Sequence, residues 1–154
     1  MKRGINWKAL IISLLIVFFV AFIGSRFTII DSWYESIKPG ITPPNYVFPI
    51  VWSILFFLIA LSLYFAWTTA SRDEDKRKII YVFAVNLILN VFWSFMFFYL
   101  QNPAYAFVII ILLWLSILRM VFVLYKIDKK ASYLLIPYLL WVAFASVLNY
   151  LIVF

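Results

Sequence analysis

Five apolar runs, each about twenty residues long, take up nearly all of this 154-residue chain. They extend from about Ala9 to Phe27, Tyr46 to Ala70, Ile79 to Leu100, Pro103 to Tyr125 and Ala131 to Phe154, and each is bounded by charge or proline. A helix rising 1.5 Å per residue crosses a hydrocarbon core of about 30 Å in roughly twenty residues. Within lipid every backbone N–H and C=O must be bonded inside the protein, so runs of this length span as helices. With 68% of residues hydrophobic, nothing is left over for a soluble domain. The predicted fold class is all-α integral membrane: one domain over residues 1–154, a bundle of five transmembrane helices with a structured extracytoplasmic loop, about 28–45, between the first two.

Lys and Arg set the expected orientation. Lys2, Arg3 and Lys8, then Arg72, Lys76, Arg77 and Lys78, then Lys126, Lys129 and Lys130 fall at one end of the bundle, and only Arg26 and Lys38 at the other. The positive-inside rule therefore places the N-terminus in the cytoplasm and the C-terminus outside, in a cell membrane of prokaryotic type. The same rule accounts for the net charge of +7 without nucleic acid as a partner. The basic start and the first apolar run resemble a secretory leader, but cleavage after Gly24 would put the bulky Phe22 at the −3 position, so the run is read as a retained span.

Several chemistries are excluded early. The chain has no Cys and no His, which removes disulfides, thiolate zinc sites, Cys/His nucleophiles and the commonest haem ligands, so no metal site and no resident cofactor is expected. No Asp or Glu lies within a span, which argues against proton- or sodium-coupled transport and against acid/base hydrolysis. Arg119 lies inside the fourth span, six residues or roughly 9 Å from Tyr125, within reach of a snorkelling side chain.

Where polar groups enter the spans they form stripes. Asn86, Asn90, Trp93 and Phe97 recur at helical spacing on the third span. An unpaired amide in hydrocarbon is costly, so this stripe faces either other helices, as hydrogen-bonding glue, or a ligand. Tyr138, Trp141, Ala145 and Asn149 share a face of the fifth span, where Pro137 predicts a kink near the start. Trp52 lies a turn or two inside the second span, and Ala21 and Ser25 form a small-xxx-small pair on the first. The charged segment Arg72 to Lys78 reads as a solvated turn. Gln101–Asn102 before Pro103 makes the third and fourth spans antiparallel neighbours.

The first loop is the longest. Ser32 and Glu35 stand at capping-box spacing, predicting a short helix that starts at Ser32, carries Trp33 and Ile37 on one face and ends at Pro39. Two readings stand: a lid stiffened by Pro39, Pro43 and Pro44 over the end of the bundle, or interfacial belt aromatics. A lid over an aromatic and amide interior would suit a large, flat, mostly apolar ligand.

These motifs resemble the translocator protein family, the tryptophan-rich sensory proteins or peripheral-type benzodiazepine receptors (TspO/MBR). The matching pieces are GSRF at Gly24 to Phe27, WYESIKPGITPP at Trp33 to Pro44, Val51–Trp52, the Asn90 and Trp93 pair, and LIPYLLWVAFASVLNY at Leu135 to Tyr150. The resemblance implies a five-helix membrane protein, commonly a homodimer, that binds porphyrins and benzodiazepine-type drugs in sensing or transport. It implies ligand contacts at Trp33, Tyr34, Trp52, Asn86, Asn90, Trp93, Trp141 and Ala145, and, if the light-dependent breakdown of protoporphyrin ascribed to some bacterial relatives applies, catalytic roles for Trp52 and Trp141. A purely lipid-binding or structural role is the remaining class. Two departures stand out. Ile41 replaces a usual Trp, which is expected to remove an aromatic lid contact. Only Leu151 to Phe154 follow Tyr150, so the basic residue of the animal sterol motif is missing.

Overall fold

The computed structural model describes residues 4–154, so the expectation for Lys2 and Arg3 lies outside the described residues. Five helical segments are long and apolar enough to cross a membrane: Trp7–Phe27, Val47–Thr69, Asp73–Tyr99, Pro103–Tyr125 and Lys129–Val153. The all-α, five-span fold expected from the apolar runs is the fold observed, and the protein is an integral membrane protein.

The elements in order are α1 (Trp7–Phe27), the short α2 (Ser32–Ile37), α3 (Val47–Thr69), α4 (Asp73–Ser94), a π-helical turn (Phe95–Tyr99), α5 (Pro103–Tyr125), the short α6 (Lys129–Tyr133) and α7 (Ile136–Val153). The spans close a ring in the order α3, α1, α4, α5, α7 and back to α3. Among these span-to-span contacts the α3–α7 seam is the sparsest, and near one end α6 packs between α3 and α5.

Local chemistry explains most of the boundaries, and it corrects three expectations. Asp31, not Ser32, caps α2: its Oδ1 accepts from the Tyr34 N–H at 3.1 Å, and Glu35 is thereby freed from the capping box. The segment Arg72–Lys78 is not a turn. Asp73, Glu74 and Asp75 occupy the first turn of α4, where carboxylates complement the helix dipole; Asp75 pairs with Arg72 and Glu74 with Lys78. The fifth span is interrupted at Leu134–Leu135 instead of being kinked at Pro137. Pro137 sits in the first turn of α7, where its missing N–H costs no intrahelical bond.

The turn between the third and fourth spans is tight, as expected. A π-turn ends the third span, with Leu100 N–H bonding Phe95 C=O at 2.9 Å, and Gln101 takes a left-handed φ of 50°. Asn102 then caps α5 by accepting from the Tyr105 N–H. Arg119 is exposed and packs its guanidinium 5.2 Å from the Tyr81 ring centroid, as a snorkelling cation would.

Polar side chains tie the spans together. Asn86 Nδ2 donates to Ser116 on α5 at 2.9 Å, and Asn86 Oδ1 accepts from the Tyr138 hydroxyl on α7 at 3.3 Å. Asn90 Nδ2 donates to the same hydroxyl at 3.1 Å. One turn on, Trp93 Nε1 donates to Asn149 Oδ1 at 3.2 Å, and Asn149 Nδ2 donates to the Pro103 carbonyl that opens α5. Ser62 bonds the Ala131 carbonyl, joining α3 to α6. Interhelical bonds of this kind contribute about 1 kcal/mol or less each in membranes. Asn86→Leu breaks two of them, so denaturation in mixed micelles should show a loss of about 1–2 kcal/mol, with the five-span helix content retained.

Candidate ligand cavity

A cavity of about 360 Å³ lies inside the ring at the end covered by α2 and the loop that follows it. It is within the roughly 300–1,000 Å³ range of small-molecule sites, at the small end. Ala21, Gly24 and Ser25 of α1 form one wall, Phe48, Trp52 and Phe56 of α3 a second, Asn90 and Trp93 of α4 a third, and Trp141, Ala145 and Asn149 of α7 a fourth. Tyr34, Pro39, Thr42 and Asn45 roof it. Helix α5 supplies no wall residue and buttresses α4 and α7 from behind.

The small residues of α1 make the space. Gly24 is buried, and a Cβ there would come into ordinary contact with Val91, 3.8 Å away. Aromatic rings then line it. Trp93 stacks on Phe97 with centroids 5.4 Å apart, Trp52 lies 5.4 Å from Phe56 and edge-on to Tyr138, and Phe48 meets Trp141 edge-on at 5.8 Å. No lining residue is charged.

The roof is a folded lid. Tyr34 is buried against Phe97 and Phe98. Gln101 Nε2 donates to Asp31 Oδ2 at 3.2 Å, fastening the lid to the opposite loop. Glu35 accepts from Lys38 and, at 2.6 Å, from Asn45 Nδ2, which staples the start of the lid to its end. Tyr46, 67% exposed, fits the interfacial-belt reading; Tyr34 does not.

The expected site residues separate into two groups. Tyr34, Trp52, Asn90, Trp93, Trp141 and Ala145 converge on the cavity. Asn86 does not: it is fully buried, satisfied by Ser116 and Tyr138, and acts as interhelical glue. Trp33 also lies outside the wall and packs edge-on against Phe97 from the lid. Ile41 is 58% exposed and does not line the cavity. Asn45, Thr42 and Asn149 join the site without having been singled out for it. Asn149 stood on the stripe with Trp141 and Ala145, and that stripe was the signal for it.

Three wall residues keep a buried polar atom without a partner: Thr42 Oγ1, Asn45 Oδ1 and Trp141 Nε1. Each such atom costs about 1–3 kcal/mol until something bonds it. Trp114 Nε1 on α5 is also unpartnered, away from the cavity, and nothing in the structure explains it. Among the described residues no cluster of three acidic or other metal-binding side chains exists.

The Glu35 staple makes the lid sensitive to acid. Hydrogen bonds from Lys38 and Asn45 hold its carboxyl below the ordinary value of 4.5. The charged form is the bonded one, so the staple is in place at neutral pH and is lost as pH falls through the lowered value. Accessibility of Trp33 to acrylamide should therefore rise only as pH falls below the ordinary glutamate range, and Glu35→Ala, which removes both acceptor oxygens, should show the raised level already at neutral pH.

Comparison with known proteins agrees with this architecture. The TspO/MBR family model matches residues 12–154. The tryptophan-rich protein TspO of Archaeoglobus fulgidus is 41% identical over 150 residues, covering 96% of each chain. That of Chlorobaculum tepidum is 39% identical over 99% of this chain and 97% of its own. The translocator protein of Homo sapiens is 30% identical over 84% of this chain and 79% of its own. A five-span bundle matched over nearly its whole length in this way belongs to the TspO/MBR family.

Proposed function

We propose that the protein binds porphyrin-type tetrapyrroles and benzodiazepine-type compounds in the lidded cavity, in a sensing or transport role. The observation that carries this reading is the neutral, aromatic wall. Trp52, Trp93 and Trp141 offer ring faces to a flat apolar molecule, and nothing charged competes for it. Thr42, Asn45 and Trp141 add unpartnered polar atoms that a ligand's own donors and acceptors relieve. The carboxylates of a porphyrin would stay at the lid margin, where Arg26 and Lys38 are the cations of that end. In this reading the lid faces out of the cell, the basic end with Lys8, Arg77 and Lys130 faces the cytoplasm, and the exposed apolar faces meet lipid and a second copy in a homodimer.

Titration with protoporphyrin IX should quench tryptophan fluorescence saturably. Trp52→Ala or Trp141→Ala should weaken the affinity about tenfold or more, the loss of one stacked aromatic contact at a buried site. Asn86→Leu should leave it unchanged, because Asn86 is outside the wall. Equal titrations for all four proteins would remove the proposal.

A second reading, light-dependent oxidation of the bound porphyrin by dioxygen, draws on the two wall indoles, Trp52 and Trp141. Photoexcited pigment would give an electron to dioxygen, the superoxide formed would add to the pigment radical cation, and an adjacent indole would trap the radicals that escape. Under illumination in air the pigment should bleach faster with wild type than with Trp52→Phe or Trp141→Phe; equal bleaching rates would leave binding alone.

A further inference from the structure

Outside the cavity, a groove runs between α3 and α7 on the outer surface of the bundle. Val51, Ile54 and Leu55 form one side, and Pro137, Leu140 and Phe144 the other. All six are apolar, and Ile54 and Leu140 are 55% and 65% exposed, so the groove opens toward the hydrocarbon. Trp141 lines this groove and also lines the internal cavity. Its ring is flanked by Phe48 of the cavity wall, 5.8 Å away, and by Phe144 of the groove, 5.7 Å away. Trp141 is thus the residue common to both linings, at the sparsest seam of the ring.

That side chain is not pinned by hydrogen bonding. Another wall indole, Trp93 of α4, is fixed by Asn149, whereas Trp141 Nε1 is buried without an acceptor. The position that closes the wall is thus the one that leaves its donor unsatisfied, and rotation of the ring sacrifices no bond. One turn on, on the same face of α7, Ala145 carries only a methyl group.

We propose that the α3–α7 groove is a lateral portal. The cavity's ligand, dissolved in the bilayer as an uncharged flat apolar molecule, docks between Ile54 and Leu140 and enters when the Trp141 ring swings aside. This rests on the cavity being a ligand site, but not on the ligand being a porphyrin. A molecule of this kind partitions into hydrocarbon, and Trp141 lines both the groove that opens to hydrocarbon and the cavity.

The test uses the absence of cysteine from the chain. Ala145→Cys places one thiol in the cavity wall, at a residue 8% exposed. In proteoliposomes, alkylation by the membrane-soluble N-phenylmaleimide reads entry into the cavity without any porphyrin. Leu140→Trp, which fills the groove from outside the cavity, should slow alkylation about tenfold, equivalent to roughly 1.4 kcal/mol on the entry barrier. Val108→Trp, on the exposed face of α5, should not slow it. Equal rates in the two variants, or a thiol that the reagent never reaches, would overturn the portal. Failure of porphyrin to quench tryptophan fluorescence would instead count against the ligand assignment and leave this measurement intact.

Discussion

Lipid tails are as apolar as leucine, so the helices of this protein gain little by burying hydrocarbon against one another. What holds them in register is a small set of amide and hydroxyl bonds. Asn86 ties α4 to α5 and α7, Asn90 shares the Tyr138 hydroxyl, and Asn149 receives Trp93 while donating to the start of α5. Together these link α4, α5 and α7 from the bundle centre to the lid end. The cavity sits beside this scaffold, against helices α1 and α3, which it does not bond. Helix α3 is tied instead to α6, through Ser62 and the Ala131 carbonyl.

The lid is held to this scaffold by different means. Tyr34 is buried in the aromatic cluster of Phe97 and Phe98, and Asp31 does double duty, capping α2 with one oxygen and meeting Gln101 with the other. The Glu35 staple closes the loop on itself. A roof fastened by a few polar bonds and one buried ring can open without disturbing the spans. The α3–α7 seam, with Trp141 as its partition, is the other thin place in the wall. The lid rests on the end of the third span, and the seam runs along the α3-facing side of α7.

The sequence made the fold legible because the bilayer leaves a chain of this composition so few choices. Five runs of spanning length and a paired Asn and Trp stripe pointed to the bundle and to most of the cavity wall. What was not legible turned on competition between neighbouring groups of similar chemistry. Asp31 and Ser32 are adjacent and both able to cap; the aspartate won, and Glu35 went to Lys38 and Asn45 instead. Asn86 and Asn90 lie one turn apart on the same stripe, and only a three-dimensional neighbour, Ser116, takes Asn86 out of the cavity. The charged stretch Arg72–Lys78 became helix because its acids fall in the first turn, ahead of Lys76, Arg77 and Lys78, which suits the helix dipole. Ile41 is exposed and outside the wall, a placement that spacing within a loop does not encode.

The central claim is that the space under the lid, enclosed by Trp52, Trp93 and Trp141, is where the ligand resides. A structure of the protein in a lipid bilayer with protoporphyrin IX bound tests it most directly. The account predicts ligand density within that wall, in contact with the rings of Trp52 and Trp141 and below Tyr34. Density confined to the outer, lipid-facing surface, with the cavity empty and the lid closed, would contradict it.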